Sequence, residues 1–310
     1  MTRLPGGAHT ADPDVRPPIT SVPPGTIGAG RPARGRLSRV VWHNCVVVET
    51  PDPHNHANRP VAVVTGGTSG IGRALARRLS GDGYRVVVVG RDRGRLDEVG
   101  RELSAETHAV DVGDADAVTR LCADLVERHP RIDVLVCNAG MPGRGSAPRT
   151  SPELARRVMA VNFHGTADVT VGLWDALVAA RGWVVNIVSV AGTVATAYSA
   201  AYTASKHAAL AWSRALAVSA AGTGVRVLTV NPGPVVTPGF PQTELVGRRL
   251  AGRAVIHVDR CADEVMRAMA RGRAEVFVPR WWRAASVVQA TAPGVARRIM
   301  TRMSRGRGVA

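Results

Sequence analysis

From Val61 onward, short apolar runs alternate with amphipathic stretches. The apolar runs are VAVVT (61–65), RVVVVG (85–90), Ile132–Cys137, WVVNIVS (183–189), Val225–Val230 and EVFVP (275–279), with a shorter one at His108–Val110. A strand with one wet face alternates apolar and polar residues, whereas these runs are nearly continuous, so they predict strands covered on both faces. Between them, Ile71–Ser80, Arg91–Leu103, Ala115–Arg128, Tyr202–Ala220 and Cys261–Arg271 carry apolar residues at helical spacing. Another helix opens at Ser151, with proline in its first turn, and runs, bent, toward Ala180. Repeated strand–helix units predict an α/β fold, a doubly wound parallel sheet with right-handed crossovers.

Outside this core the pattern fades. Residues 1–36 hold seven prolines and six glycines with no sustained period and read as disordered. Val40–Val48 reads as a short strand, and PDPHNHANRP then breaks the chain. His43, His54 and His56 sit in no ligand framework, so no metal is expected. The expected organisation is a weakly structured extension at 1–59, one domain at 60–280 and a basic, partly amphipathic extension at 281–310. The four cysteines, Cys45, Cys122, Cys137 and Cys261, are scattered and read as small core residues. No apolar stretch reaches the roughly 18 residues of a membrane span, and none resembles a signal peptide. A cytoplasmic setting follows.

Charge alters this picture at one end. Lys and Arg number 40 against 24 Asp and Glu, for a formal net charge of +16. Residues 271–310 carry +8 of it, while 60–270 are nearly balanced. A nucleic-acid protein would place the excess on its folded domain, so no nucleic-acid partner is expected. A basic tail suits an anionic membrane surface, which would make the protein peripheral on the inner membrane face. Lys206 is the single lysine of the chain.

The strand at 61–65 runs straight into TGGTSGIG (65–72), with Gly66, Gly70 and Gly72 at G-x3-G-x-G spacing. Such a turn brings backbone close to a pyrophosphate and aims a helix N-terminus at it. The second strand ends at Gly90, where a cofactor with a free ribose 2′-hydroxyl would meet an acid. Arg91 follows, and a guanidinium suits a 2′-phosphate, so the sequence favours NADP(H) with NAD(H) as the alternative. Asp111, after the third strand, accepts from an adenine amino group or caps the next helix.

Tyr202 and Lys206 lie four apart on one helix face, where an ammonium lowers a phenol pKa and the pair passes protons to or from an alcohol oxygen. Ser189 ends the preceding strand at the ligand-binding edge. Together with NAG (138–140), Asn162 in VNFHG, YTASK (202–206) and NPGPVVT (231–237), these motifs resemble the classical short-chain dehydrogenase/reductase family over about residues 60–280. The resemblance implies a Rossmann-type fold with a seven-stranded parallel sheet flanked by helices, assembled as a homodimer or homotetramer. It implies a catalytic Asn162–Ser189–Tyr202–Lys206 tetrad: Tyr202 as acid/base, Lys206 lowering its pKa and binding ribose, Ser189 orienting the carbonyl. Asn162 would kink its helix and hold a water. Cofactor contacts would come from Gly66, Thr68, Ser69, Gly70, Ile71, Gly72, Arg91, Asp111, Val112, Asn138, Ala139 and Gly140. Pro232, Gly233, Val235 and Thr237 would border the nicotinamide. Tyr198 is a rival phenol, but only Tyr202 has the spacing to Lys206. The implied activity is NADP(H)-dependent reduction of a ketone or aldehyde, or the reverse; a non-catalytic dinucleotide sensor is the remaining alternative.

Two segments bear on the substrate. After Thr237, Phe240, Leu245, Val246 and Leu250 suggest an apolar pocket wall for a small apolar substrate, with Arg248 and Arg249 on a solvated face or, alternatively, meeting an acidic substrate. In the tail, Trp281, Trp282, Val287 and Val288 offer an apolar side beside Arg283, Arg297, Arg298 and Arg302. That tail lies on a membrane surface, packs on a second subunit or covers the substrate mouth.

Overall fold

Valine-rich strands with few polar positions need apolar cover on both faces, and the fold supplies it in two layers. The structure is a computed structural model that describes residues 59–196, 199–237 and 255–304. The strand expected at Val40–Val48, the histidines before Val61, Cys45, Tyr198, and the segment carrying Phe240 to Leu250 lie outside the described residues. Seven parallel strands stand in the order β3-β2-β1-β4-β5-β6-β7. They are β1 (Val61–Thr65), β2 (Arg85–Gly90), β3 (Glu106–Ala109), β4 (Val134–Cys137), β5 (Trp183–Ile187), β6 (Arg226–Pro232) and β7 (Glu275–Val278).

The strand period of two divides each run between the faces. Ala62, Val64, Val86 and Val88 pack with Leu75 and Leu79 of α1 (Gly70–Gly81), Leu96 and Val99 of α2 (Arg93–Leu103), and Cys261 and Val265 of α8 (Val258–Ala270). Val61, Val63, Val87 and Val89 pack with Leu121 and Leu125 of α3 (Ala115–Arg128), Val169 of α5 (Gly165–Gly172) and Leu177 of α6 (Trp174–Ala180). Cys122, Cys137 and Cys261 are buried free thiols, and burial pushes each well up, to about 11, 12 and 12. They act as small apolar residues.

Strand order reverses between β1 and β4, so their C-terminal ends diverge and open the crevice where ligands of such sheets bind. The long helix expected from Ser151 to Ala180 is instead three pieces. Ser151 accepts from Leu154 N at 3.2 Å and opens α4 (Pro152–Met159). A π-helical turn spans Ala160–His164, α5 follows, and Leu173 breaks the path before α6. α7 (Ala200–Ser219) starts two residues earlier than the sequence pattern indicates. The third strand is Glu106–Ala109 and not His108–Val110, because this edge strand is polar and gives no apolar signal.

The C-terminal extension forms two helices, α9 (Trp282–Thr291) and α10 (Pro293–Ser304), parted where Pro293 cannot continue the first. Ala296 of α10 is buried. No helix among the described residues is long and apolar enough to cross a membrane.

Candidate active site

The glycine turn is shaped by contacts that leave no room for side chains. Gly66 (φ +63°) and Gly70 (φ +55°) adopt the left-handed backbone that favours glycine. A Cβ on Gly66 would stand 2.8 Å from Ala139 Cα, and one on Gly70 would stand 2.9 Å from Thr237 Cγ2. The turn is pinned from β4. Asn138 Nδ2 donates to Thr65 O at 3.2 Å and Gly66 O at 3.1 Å, while Thr65 Oγ1 accepts from Asn138 N at 3.0 Å and Ala139 N at 3.1 Å. Ser69 makes no side-chain cap bond to α1, and the first turn of that helix carries no acid. Its N–H groups, from Gly70, Ile71 and Gly72, are therefore available to a phosphate. Thr68 lies over the end of β2, 2.8 Å from where a Cβ on Gly90 would be. This cradle of missing side chains, free N–H groups and a bare strand end fits a dinucleotide.

Arg91 leaves that strand end with its side chain 63% exposed, 3.7 Å from Asp111. Asp111 Oδ1 accepts from Gly113 N at 2.9 Å, and Oδ2 meets the guanidinium of Arg157 from α4. Burial would raise the Asp111 pKa, but Gly113 N–H, Arg157 and Arg91 together hold it below the usual value. It does not cap α3: Asp114 does, accepting from Ala117 N at 3.0 Å. Of the two roles read from sequence, capping is the one the geometry removes. Val112 is buried beside Gly165.

The four tetrad residues gather at the C-terminal edge of β5. Lys206 is buried, and Nζ donates to Ile187 O at 2.9 Å. Burial lowers its pKa to about 8, with Cys137 acting weakly in the other direction. Nζ lies 5.8 Å from the Tyr202 ring centre. Burial pushes the Tyr202 phenol up to about 12, opposed by its hydrogen bond with Ser189. The sequence reading had Lys206 lowering that pKa. In the structure burial dominates, and the net shift is upward.

Asn162 sits in the π turn, fully buried. Its Oδ1 accepts from Met141 N at 2.7 Å; its Nδ2 donates to Met141 O at 3.1 Å and to Ser205 Oγ at 2.9 Å. Ser205 Oγ in turn donates to Tyr202 O at 2.8 Å. The amide thereby ties the segment after β4 to α7. Gly140 stands between, its Cβ position 3.4 Å from Asn162 Oδ1 and 3.9 Å from Lys206 Nζ. Across the crevice, Gly233 N donates to Val278 O at 2.8 Å, and Val235 bridges Ile256 after the turn at Pro232.

Two contributors escaped the sequence reading. Arg157 reaches Asp111 across 46 positions, which no local pattern announces. Ser205 stood inside YTASK without an assigned role. Trp282, named in the sequence as part of the tail's apolar side, lies against Gly233. Among the described residues, no group of His, Cys, Asp and Glu is placed to hold a metal.

Residues 60–244 match the family model described as short chain dehydrogenase. The chain is similar to a granaticin polyketide synthase putative ketoacyl reductase 1 from Streptomyces violaceoruber, 35% identical over 225 residues, covering 70% of this chain and 82% of that one. It is also similar to the solved structure of an actinorhodin polyketide ketoreductase variant with NADPH: 33% identity, TM-score 0.65, 71% of this chain and 95% of that one. A short-chain dehydrogenase/reductase from Burkholderia phymatum in complex with NAD superposes with TM-score 0.67 at 25% identity, over 76% of this chain and 95% of that one.

Proposed function

The chain belongs to the classical short-chain dehydrogenase/reductase family and is an NAD(P)(H)-dependent oxidoreductase of carbonyl and alcohol groups; from that premise we propose that it reduces a ketone or aldehyde on a largely apolar small molecule, or runs that step in reverse, with NADP(H). The observation that carries the reading is the joining of Tyr202, Ser189 and Lys206 at one sheet edge, beside a turn shaped for a dinucleotide.

When bound, the dinucleotide supplies the hydride. Ser189 Oγ holds the carbonyl oxygen, and Tyr202 Oη gives its proton to that oxygen as negative charge develops. A phenol at about 12 is fully protonated at neutral pH, which suits the acid of a reduction. Lys206 supplies positive charge beneath the site, and Asn162 with Ser205 fixes the helix that carries Tyr202 and Lys206.

Gly90 and the exposed Arg91 support NADP(H), as does the NADPH-bound ketoreductase among the relatives. NAD(H) is the second reading, favoured by the ion pair that ties part of Arg91's charge to Asp111. Val171 on α5 and Val218 on α7, 64% and 77% exposed, support a homodimer or homotetramer formed through those helices. The basic tail helices support peripheral contact with anionic lipid.

Replacement of Tyr202 by Phe tests the reading. Y202F is expected to lose at least about a thousandfold in ketone turnover while binding NADPH as the parent does. Undiminished turnover in Y202F would remove the acid/base assignment, and a parent chain that binds dinucleotide but turns over no carbonyl or alcohol would leave only a sensor.

A further inference from the structure

Trp282, the first residue of α9, lies against Gly233 just past the end of β6. A Cβ on Gly233 would stand 2.8 Å from Trp282 Cδ1 and 3.1 Å from Cε2, with Nε1 nearer still. The indole edge occupies the space a side chain at 233 would need. Trp281 backs it, the two rings stacked 4.3 Å apart. The Trp282 N–H is buried and donates to no atom of the described residues. A buried donor left unpaired is costly, and such a group at a functional edge asks for an acceptor from outside the chain.

Its position says where that acceptor comes from. Val188 N donates to Val230 O at 2.8 Å, so Ser189 and Gly233 leave neighbouring strands at the same edge of the sheet. Trp282, against Gly233, therefore stands at the same C-terminal edge of the sheet as Ser189. An indole N–H donates and accepts nothing, so its partner must be an acceptor, such as a carbonyl oxygen.

We propose that Trp282 is a ligand-binding residue of this site, donating its Nε1–H to a carbonyl oxygen of the bound molecule. The oxygen belongs either to the carboxamide of the dinucleotide or to the carbonyl substrate. The proposal rests on the oxidoreductase reading above and makes the C-terminal extension part of the reaction site.

The test uses the full chain labelled with 15N. The indole resonance of Trp282 is the one missing from W282F. It is expected to move downfield on saturation with NADP+ alone if the carboxamide is the acceptor. It is expected to move only when a ketone is added with NADP+ if the substrate is. W282F keeps a flat ring on Gly233 but lacks the N–H, so its Kd or KM for the same ligand should rise about fivefold with an unchanged melting midpoint. A purely packing role predicts instead that W282F behaves as the parent and only W282A loses stability. A stationary Trp282 resonance in both arms, or unchanged W282F affinity for both ligands, overturns the proposal. If the other resonances respond to NADP+ while Trp282 stays silent in both arms, this inference alone fails; a spectrum indifferent to NADP+, and to NAD+ added in its place, removes the oxidoreductase reading with it.

Discussion

The side-chain amide of Asn138 fills the space above Gly72: Nδ2 lies in hard contact with the point where a Cβ at that position would stand, and Gly66 O closes the same space from the other side. The same nitrogen donates to Thr65 O and Gly66 O, so it cannot swing aside without freeing two carbonyls. G72A should therefore distort the turn and not simply crowd it. Overpacking of this kind costs about 2 kcal/mol. Urea denaturation should show that loss, and dinucleotide titration should show binding weakened about tenfold. A variant as stable and as tight as the parent would mean that the turn adapts freely.

The buried ammonium predicts a pH limit. Burial lowers the Lys206 pKa to about 8, so Lys206 is cationic below that value and becomes neutral above it. The cation is the form that serves an anionic dinucleotide. A profile of kcat/KM for NADPH, which reports the free enzyme, should fall on the alkaline side with a midpoint near 8. The Tyr202 phenol, at about 12, contributes no limb in that range. A profile that shows no fall up to about pH 9.5 would contradict the assignment.

Arg91 discriminates between the two dinucleotides if its exposed guanidinium meets a 2′-phosphate. Charge-assisted hydrogen bonds of this type are worth about 1.5–3 kcal/mol. R91A should thus raise the Kd of NADPH between about tenfold and a hundredfold while leaving NADH within about twofold. Equal losses for both would make Arg91 a surface residue held by Asp111.

Far from the site, Glu106 ties the edge strand to the end of α3. His108 Nε2 is 2.7 Å from Oε1, His129 Nε2 is 2.9 Å from Oε2, and Arg128 is 3.2 Å from Oε1. The His108 bond, against the opposing effect of burial and with help from His129 and Arg128, takes the Glu106 pKa down to about 2. A depressed carboxylate stabilises the fold above its unfolded pKa of 4.5, and that contribution is lost as pH falls to about 2. E106Q should lower unfolding free energy by about 2 kcal/mol at pH 7. The gap between variant and parent should close as pH falls from 4.5 to about 2. A gap independent of pH would mean that the glutamine loses shape and not charge.

These residues also show what a linear reading can see. β1 and the glycine turn were legible because an apolar run and fixed glycine spacing are local properties. Tyr202 and Lys206 were legible because helical spacing alone puts them on one face. β3 begins two residues before the apolar signal and ends one before it, because Glu106 and Thr107 are polar, and an edge strand needs less apolar cover. The π turn at Ala160–His164 changes the winding that a uniform helical period assumes. The sign of the Tyr202 shift was lost for a different reason: spacing gives proximity to a charge, whereas desolvation depends on everything packed around it. Arg157 with Asp111 and Trp282 with Gly233 are products of the crossovers, so only the assembled sheet reveals them.

The tail gives the last prediction. Trp281, Val287, Val295 and Ile299 are each about half exposed, on helices that also carry Arg283, Arg297, Arg298 and Arg302. Apolar residues with arginine neighbours and no acid suit an anionic bilayer surface: on the proposed contact, the rings and aliphatic chains would enter the interface while the guanidinium groups stayed at headgroup level. Each basic residue near such a surface is worth about 1 kcal/mol. The full chain should float with phosphatidylglycerol vesicles at low salt and remain behind with phosphatidylcholine. Replacing Arg297, Arg298 and Arg302 by Gln should weaken binding on the order of a hundredfold, given that increment. I299D should also weaken it, without changing ketone turnover in the absence of vesicles. Raising salt should mimic the arginine replacements but not I299D, because screening acts on charge alone. Flotation that ignores lipid charge, or that survives all three arginine replacements, would assign this face to something other than a membrane.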